Sequence, residues 1–236
     1  MNSSSASIIR RIPWDSSNCD RVDEMTIKNS ECGEKILLGL IQTIHDNAAY
    51  LSEIDGKIGD GDHGINMNKG FTLCAQRLSG QQYSLSEGLA VLSQTLMEDI
   101  GGSMGPLYGV FFEEMSIASG DLQEIGAREF ETMLVNALSG IQEIGSAKRG
   151  DKTLLDTLIP GTEAFTFALD QGKDFKEALV ALQTAAKEGW QSTEGMIAKI
   201  GRASRLGERS RGVLDAGATS CWLLLNSMAN SIIALL

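Results

Sequence analysis

The sequence predicts an all-α protein, a single-domain bundle of about eight helices. Apolar residues recur at helical spacing from about Glu31 to the C-terminus, and no stretch reads as a convincing strand. Three prolines against 26 glycines suit long helices joined by glycine-rich loops. The 236 residues sit at the upper end of one domain, and 42% hydrophobic content fits a packed globule.

Met1 to about Ser30 is polar and serine-rich, so residues 1–30 are expected to form an N-terminal extension or loosely docked segment before the domain at 31–236. From Glu31, the spacing of Leu37, Ile41, Ile44 and Ala48 predicts a helix that leads into an acidic loop at Asp55. A second helix leaves that loop near Ile65 with Met67, Phe71, Cys74 and Leu78 on one face, and Gly80 ends it. Ser84-Leu85-Ser86-Glu87 is a capping box for a third, which buries Leu89, Leu92, Leu96 and Ile100. Gly101–Gly105 breaks the helix, and Pro106 suits the first turn of a fourth carrying Phe111, Phe112 and Met115. Arg128–Ile144 is a fifth, followed by a basic loop at Gly145–Gly150. Thr153–Leu169 reads as helix with a bend or break around Pro160. Asp174-Phe175-Lys176-Glu177 opens another helix that buries Leu179, Leu182 and Ala186. A short helix near Glu194–Ile200 and a loop at Gly201–Leu214 come next. Asp215 then caps a last helix with Ala218, Trp222, Leu225, Met228 and Ile232 on one side.

A net charge of −11 argues against nucleic acid and anionic membrane surfaces as partners. Lys148, Arg149, Lys152, Arg202, Arg205, Arg209 and Arg211 nevertheless cluster, either as a local pocket for phosphate or as solvated surface. The four cysteines form no C-x-x-C pair, and no secretory signal is apparent, so a cytoplasmic protein with free thiols is expected. Ala218–Leu236 is apolar but carries Asn226, Ser227, Asn230 and Ser231, which favours a buried helix over a membrane span.

The densest chemistry lies at Asp55–Gly64, which holds Asp55, Asp60, Asp62 and His63 among four glycines. Carboxylates this close repel one another unless a cation sits between them, and oxygen ligands suit Mg²⁺ or Ca²⁺. An EF-hand read from Asp60 fails, because Phe71 falls where the bidentate Glu is needed. A solvated acidic turn is the other reading of this loop alone. Asp55–Phe71 (DGKIGDGDHGINMNKGF), Gly101–Gly109 (GGSMGPLYG), Gly150–Leu158 (GDKTLLDTL) and Gly201–Ser220 (GRASRLGERSRGVLDAGATS) occur in that order. Together they resemble the L subunit of dihydroxyacetone kinases, the nucleotide-binding half of those enzymes.

The resemblance covers about Ile36 to the C-terminus. It implies a barrel of eight antiparallel helices with a nucleotide, ADP or ATP, held by loops at one end. Asp55, Asp60 and Asp62 match the metal-binding aspartates, for Mg²⁺ and by expectation two ions. His63, Gly64, Ile65 and Asn66 match a nucleotide-contacting segment, and Gly102, Ser103 and Met104 match the phosphate-contacting turn, with Met104 where the family commonly has serine. Gly145, Leu154 and Arg202 match further nucleotide contacts, with Leu154 replacing the usual methionine. Asp215, Ala216 and Gly217 match an Asp-Pro-Gly segment, with Ala216 for proline. The implied partners are a K subunit that carries dihydroxyacetone, a phosphocarrier subunit that recharges bound ADP, and a transcriptional regulator. Alternatives are an ATP-using kinase subunit for another small ketose such as a tetrulose, and a nucleotide-sensing interaction protein.

Overall fold

The computed structural model describes residues 25–236. Eight α-helices account for most of them: α1 Asn29–Ile58, α2 His63–Leu78, α3 Leu85–Asp99, α4 Met104–Ser119, α5 Ala127–Ile144, α6 Leu155–Asp170, α7 Phe175–Ser192 and α8 Ala216–Ile233. Each packs on its neighbours in sequence, and α8 returns to pack on α1, so the ring closes. Packing of each helix on the next, most of them joined by short connections, makes successive helices antiparallel. One end of the barrel therefore carries the N-termini of α2, α4, α6 and α8, and the far end those of α1, α3, α5 and α7.

Two aromatic clusters fill the ring. Phe111 and Phe71 meet Phe112 edge-on, with centroids 5.0 and 6.1 Å away. Phe130, Phe165 and Phe175 join α5, α6 and α7, with centroids 5.5–6.1 Å apart. Such pairs add to the area they bury because ring edges meet ring faces.

The far end is tied down by its own side chains. Ser84 accepts from the Glu87 amide at 3.2 Å while Glu87 accepts from the Ser84 amide at 2.8 Å. Asp174 and Glu177 repeat the exchange at α7, and Glu129 accepts from the Gly126 amide at α5. A two-residue strand β1 (Ile27–Lys28) pairs antiparallel with β2 (Glu124–Ile125), Ile27 opposite Ile125. Ile27 is buried, and buried Asn29 donates to the carbonyls of Ser119 and Leu122. Residues 27–30 thus pack as part of the barrel; residues 1–24 of the expected extension lie outside the described residues.

Three expectations need correction. Helix α1 does not stop at Asp55 but continues to Ile58, which places Asp55 on its last turn. Helix α6 runs unbroken through Pro160. That proline denies the Asp156 carbonyl its partner four residues on. Gly189 of α7 backs onto this same oxygen so closely that a Cβ there would lie 2.1 Å from it, so α7 packs directly over the bare carbonyl. The expected helix at 194–200 is only a 3₁₀ turn at Thr193–Gly195, and Arg202–Ser210 forms 3₁₀ turns kinked at Gly207.

Candidate metal and phosphate site

Oxygens of Asp55, Asp60 and Asp62 lie within 4.8 Å of one another at the end where α2, α4, α6 and α8 begin. Asp55 reaches this point from the last turn of α1, Asp60 from the glycine-rich connection, and Asp62 from the start of α2. The Arg202 guanidinium pairs with Asp60, bringing two distant sequence blocks together. Three carboxylates against one guanidinium leave an excess of negative charge. Hard oxygen donors in that balance fit Mg²⁺.

Beside the carboxylates, two helix N-termini are open. Asp62 and Ser103, the cap positions of α2 and α4, make no side-chain capping bond. The first amide to reach a helical carbonyl is Asn66 in α2 (to Asp62, 2.9 Å) and Leu107 in α4 (to Ser103, 3.2 Å). The amides of Gly64, Ile65, Met104 and Gly105 precede them, in the places where a helix has donors to spare. Gly64 also has a packing reason: a Cβ would meet the Ala48 carbonyl at 1.9 Å. Gly102 opens the turn before α4 at φ 78°.

A buried polar chain fixes these helices to α8. His63 Nε2 lies 2.9 Å from Ser220 Oγ, and the Tyr108 hydroxyl lies 2.7 Å from the same oxygen and donates to the Gly217 carbonyl at 3.2 Å. Burial pushes the His63 imidazole down to about 4 against the opposing pull of Asp55, so at neutral pH it is uncharged. Burial likewise holds the Tyr108 hydroxyl well above its usual range. Thr157 of α6 donates to the Ala218 carbonyl, and Gly217 packs on Leu154. All four sequence blocks therefore meet at the start of α8. Asp215 caps that helix by accepting from the Ala218 amide at 2.7 Å, and burial pushes its carboxyl up to about 6.

The expected site residues divide into those exposed at this end of the barrel and those buried in the core. Ser103, Gly102 and Arg202 are exposed at the site end, and Gly145 ends α5 there. Ile65 is 66% exposed and lines an outer groove between α1 and α2, so its side chain leaves the site and only its amide remains in play. The Met104 side chain is 9% exposed and belongs to the core, so it does not point out of the turn where the family's serine is expected. Leu154 and Ala216 are also buried. Among the basic residues, Arg149 pairs with Glu163, Arg211 with Glu208, and Lys152 is buried.

Sequence reasoning missed Asp156. It is 2% exposed, accepts from the Gly150 amide and from the Thr153 amide at 2.8 Å, and so shapes the turn before α6. The signal was present, because Thr153-x-x-Asp156 is a capping pattern. Tyr108 and Ser220 were missed as well; two hydroxyls on separate helices carry no local sign that they will meet.

An eight-helix barrel with an acidic cradle beside open helix N-termini is the class that fold and site define. The chain belongs to the DAK2 domain family, whose profile matches residues 57–230. It is 39% identical over 181 residues to the ADP-binding subunit DhaL of PEP-dependent dihydroxyacetone kinase 2 from Listeria innocua, covering 75% of this chain and 83% of that one. To the corresponding subunit from Escherichia coli it is 36% identical over 181 residues, covering 76% and 86%. The crystal structure of the dihydroxyacetone kinase of C. freundii superposes with a TM-score of 0.64 at 25% identity, over 96% of this chain. This chain spans 38% of that kinase. No helix among the described residues is long and apolar enough to cross a membrane.

Proposed function

We propose that this chain is the nucleotide-binding subunit of a small-ketose kinase, dihydroxyacetone being the leading substrate. In this reading it binds Mg²⁺ with ADP or ATP and passes a phosphoryl group to a ketose held on a separate K subunit. The observation that carries the reading is the meeting of three carboxylates, Arg202 and two uncapped helix N-termini at one end of the barrel.

Asp55, Asp60 and Asp62 would hold Mg²⁺, with two ions as the expected number. Bound there, Mg²⁺ draws negative charge from the phosphoryl group in transfer. The amides of Gly64, Ile65, Met104 and Gly105 receive phosphate oxygens, with the Ser103 hydroxyl beside them. Arg202 supplies countercharge from the opposite loop. Neutral His63 orients through Ser220 rather than adding charge. Leu154, packed on Gly217, forms an apolar wall for the base. The chain's own contribution is positioning and electrostatics, which suffice for phosphoryl transfer once the acceptor is delivered.

That relatives are named ADP-binding subunits of PEP-dependent kinases favours the version in which ADP stays bound; in this reading a phosphocarrier subunit recharges it, in the cytoplasm. A transcriptional regulator is a further partner this reading allows. Purifying the protein and releasing its nucleotide tests the choice. Stoichiometric ADP that survives dialysis in Mg²⁺ supports the coenzyme version, whereas a freely exchanging site supports ATP use, as for a tetrulose kinase. Phosphoryl transfer to a ketose without any partner chain would overturn the subunit reading. Binding of nucleotide and a regulator, with no transfer in any reconstitution, would leave only a sensing role.

A further inference from the structure

Lys152 is the one non-glycine residue at positive φ among the described residues, at 64°, and its side chain is 1% exposed. A β-carbon is disfavoured in that backbone region, and a buried ammonium is disfavoured without partners. Both oddities fall on one residue, so the side chain has a task that glycine could not perform. Its contacts show what the task is. The ammonium donates to the carbonyls of Met196 at 3.2 Å, Ser210 at 2.5 Å and Val213 at 2.6 Å.

Met196 and Val213 are the two feet of the loop whose 3₁₀ turns begin at Arg202. Lys152 therefore ties the neck of that loop shut from inside. Other bonds close the same neck: the Gly212 amide to the Glu194 carbonyl at 2.8 Å, and the Ala198 amide to Ser210 Oγ at 2.9 Å. Lys199, next to the tip, is held to Asp151 through its amide and its ammonium. Beyond these anchors the tip carries Arg202 to Asp60. An ammonium has three protons, and three carbonyls take them. None is left over for a phosphate, which rules out the direct role that a lysine in a glycine-rich loop would suggest.

We propose that Lys152 is a positioning residue for the metal and phosphate site, clamping the neck of the 196–213 loop so that Arg202 is held at the aspartate cradle. The proposal rests on the nucleotide-binding reading for its effect on ligand, but the clamp itself does not. Asp215 and Glu194 supply the opposing negative charge nearby. Asp215 is also the cap of α8, so the clamp and the polar chain through Ser220 share one foundation.

Two variants remove the ammonium in different ways. Lys152→Met keeps most of the stem, and Lys152→Gly also relieves the backbone. In the ligand-free proteins, tryptic cleavage between Lys199 and Arg211 should quicken by about tenfold or more in both, with helical content retained. Affinity for Mg·ADP should fall by roughly 10- to 100-fold, the range for losing bonds to a charged group. The specific readout is a double-mutant cycle with Arg202→Ala. If Lys152 acts through Arg202, the effect of Arg202→Ala should shrink to about threefold or less in the Lys152→Met background.

Unchanged cleavage, or a Lys152→Gly protein with wild-type affinity, would overturn the clamp. Losses that multiply in the cycle would reduce Lys152 to general structural support and overturn its positioning role. A wild-type protein that binds no Mg·ADP would defeat the nucleotide reading, while the cleavage experiment still judged the clamp. Should neither variant fold, hydrogen exchange on the wild type decides. Amides of Ala198 and Gly212 protected like those of the core support a closed neck, and rapid exchange there refutes it.

Discussion

The two ends of the barrel treat helix N-termini differently. At the far end α3 and α7 have reciprocal capping boxes, α5 has Glu129 on the Gly126 amide, and Asn29 ties α1 to the loop after α4. At the site end α2 and α4 have no side-chain cap, and three carboxylates crowd beside them. One end spends its polar groups on itself, and the other keeps donors and charge for something else. The site end is itself divided. The half built from α6, α8 and the 196–213 loop is dense with internal bonds through Asp156, Lys152 and Asp215. In our reading α1, α2 and α4 bring the carboxylates and the open amides, and the more densely bonded wall holds Arg202 across from them.

Substitutions at the two ends should separate binding from stability. The largest effect is expected from Asp62→Asn. Asp62 makes no side-chain capping bond that the change could remove, and one like charge leaves the cradle, so apo stability should hold or rise. Mg·ADP affinity should drop by about a hundredfold or more, beyond the loss usual for outer-shell partners of a metal. Calorimetry and thermal melts on the same sample check both halves.

Arg202→Ala comes next, with a loss of roughly 1.5–3 kcal/mol in nucleotide binding and little change in the apo melting temperature. The Arg202–Asp60 pair is exposed and should add little to the fold. An equal fall in the melting temperature with and without nucleotide would make it a structural arginine. Met104→Ser should do the reverse. Its side chain lies in the core, so the change should cost about 2 kcal/mol of stability and leave phosphate affinity nearly unchanged. A gain in affinity would show that the new hydroxyl reaches the phosphates after all. At the far end, Ser84→Ala should cost about 1 kcal/mol, read by denaturant unfolding, with no effect on nucleotide affinity.

A last prediction concerns pH. The Asp215 carboxyl is raised from 3.8 to about 6, so the folded state holds its proton more tightly than the unfolded chain. Its contribution to stability is greatest below pH 3.8 and is lost as pH rises through about 6. Asp215→Asn keeps a cap and removes that titration. Relative to the variant, the ligand-free wild type should lose stability across this window; the comparison cancels the opposite trend from His63. Parallel pH profiles for the two proteins would contradict the raised carboxyl.

Much of this division could be read from the chain. Ser84-x-x-Glu87 and Asp174-x-x-Glu177 announce far-end caps, because a capping box is a local device. The aspartates at 55, 60 and 62 stand out for the same reason, as charge too dense to be left alone. What could not be read depends on partners far away in sequence. Lys152 looks like surface charge until the carbonyls at 196, 210 and 213 surround it. Met104 sits in a matching motif, yet its direction is set by the start of α4, which turns the side chain into the core. Pro160 carries a local signal to break the helix, yet α6 continues through it with Gly189 of α7 packed against the same turn.

In our reading the open end of the barrel is a Mg-dependent nucleotide site. Titrating ADP into nucleotide-free protein, with Mg²⁺ and then with EDTA, tests this most directly. One ADP per chain that binds in Mg²⁺, and is lost both in EDTA and in Asp62→Asn, is the predicted result. Equal ADP affinity with and without Mg²⁺, or in the wild type and Asp62→Asn, would contradict it.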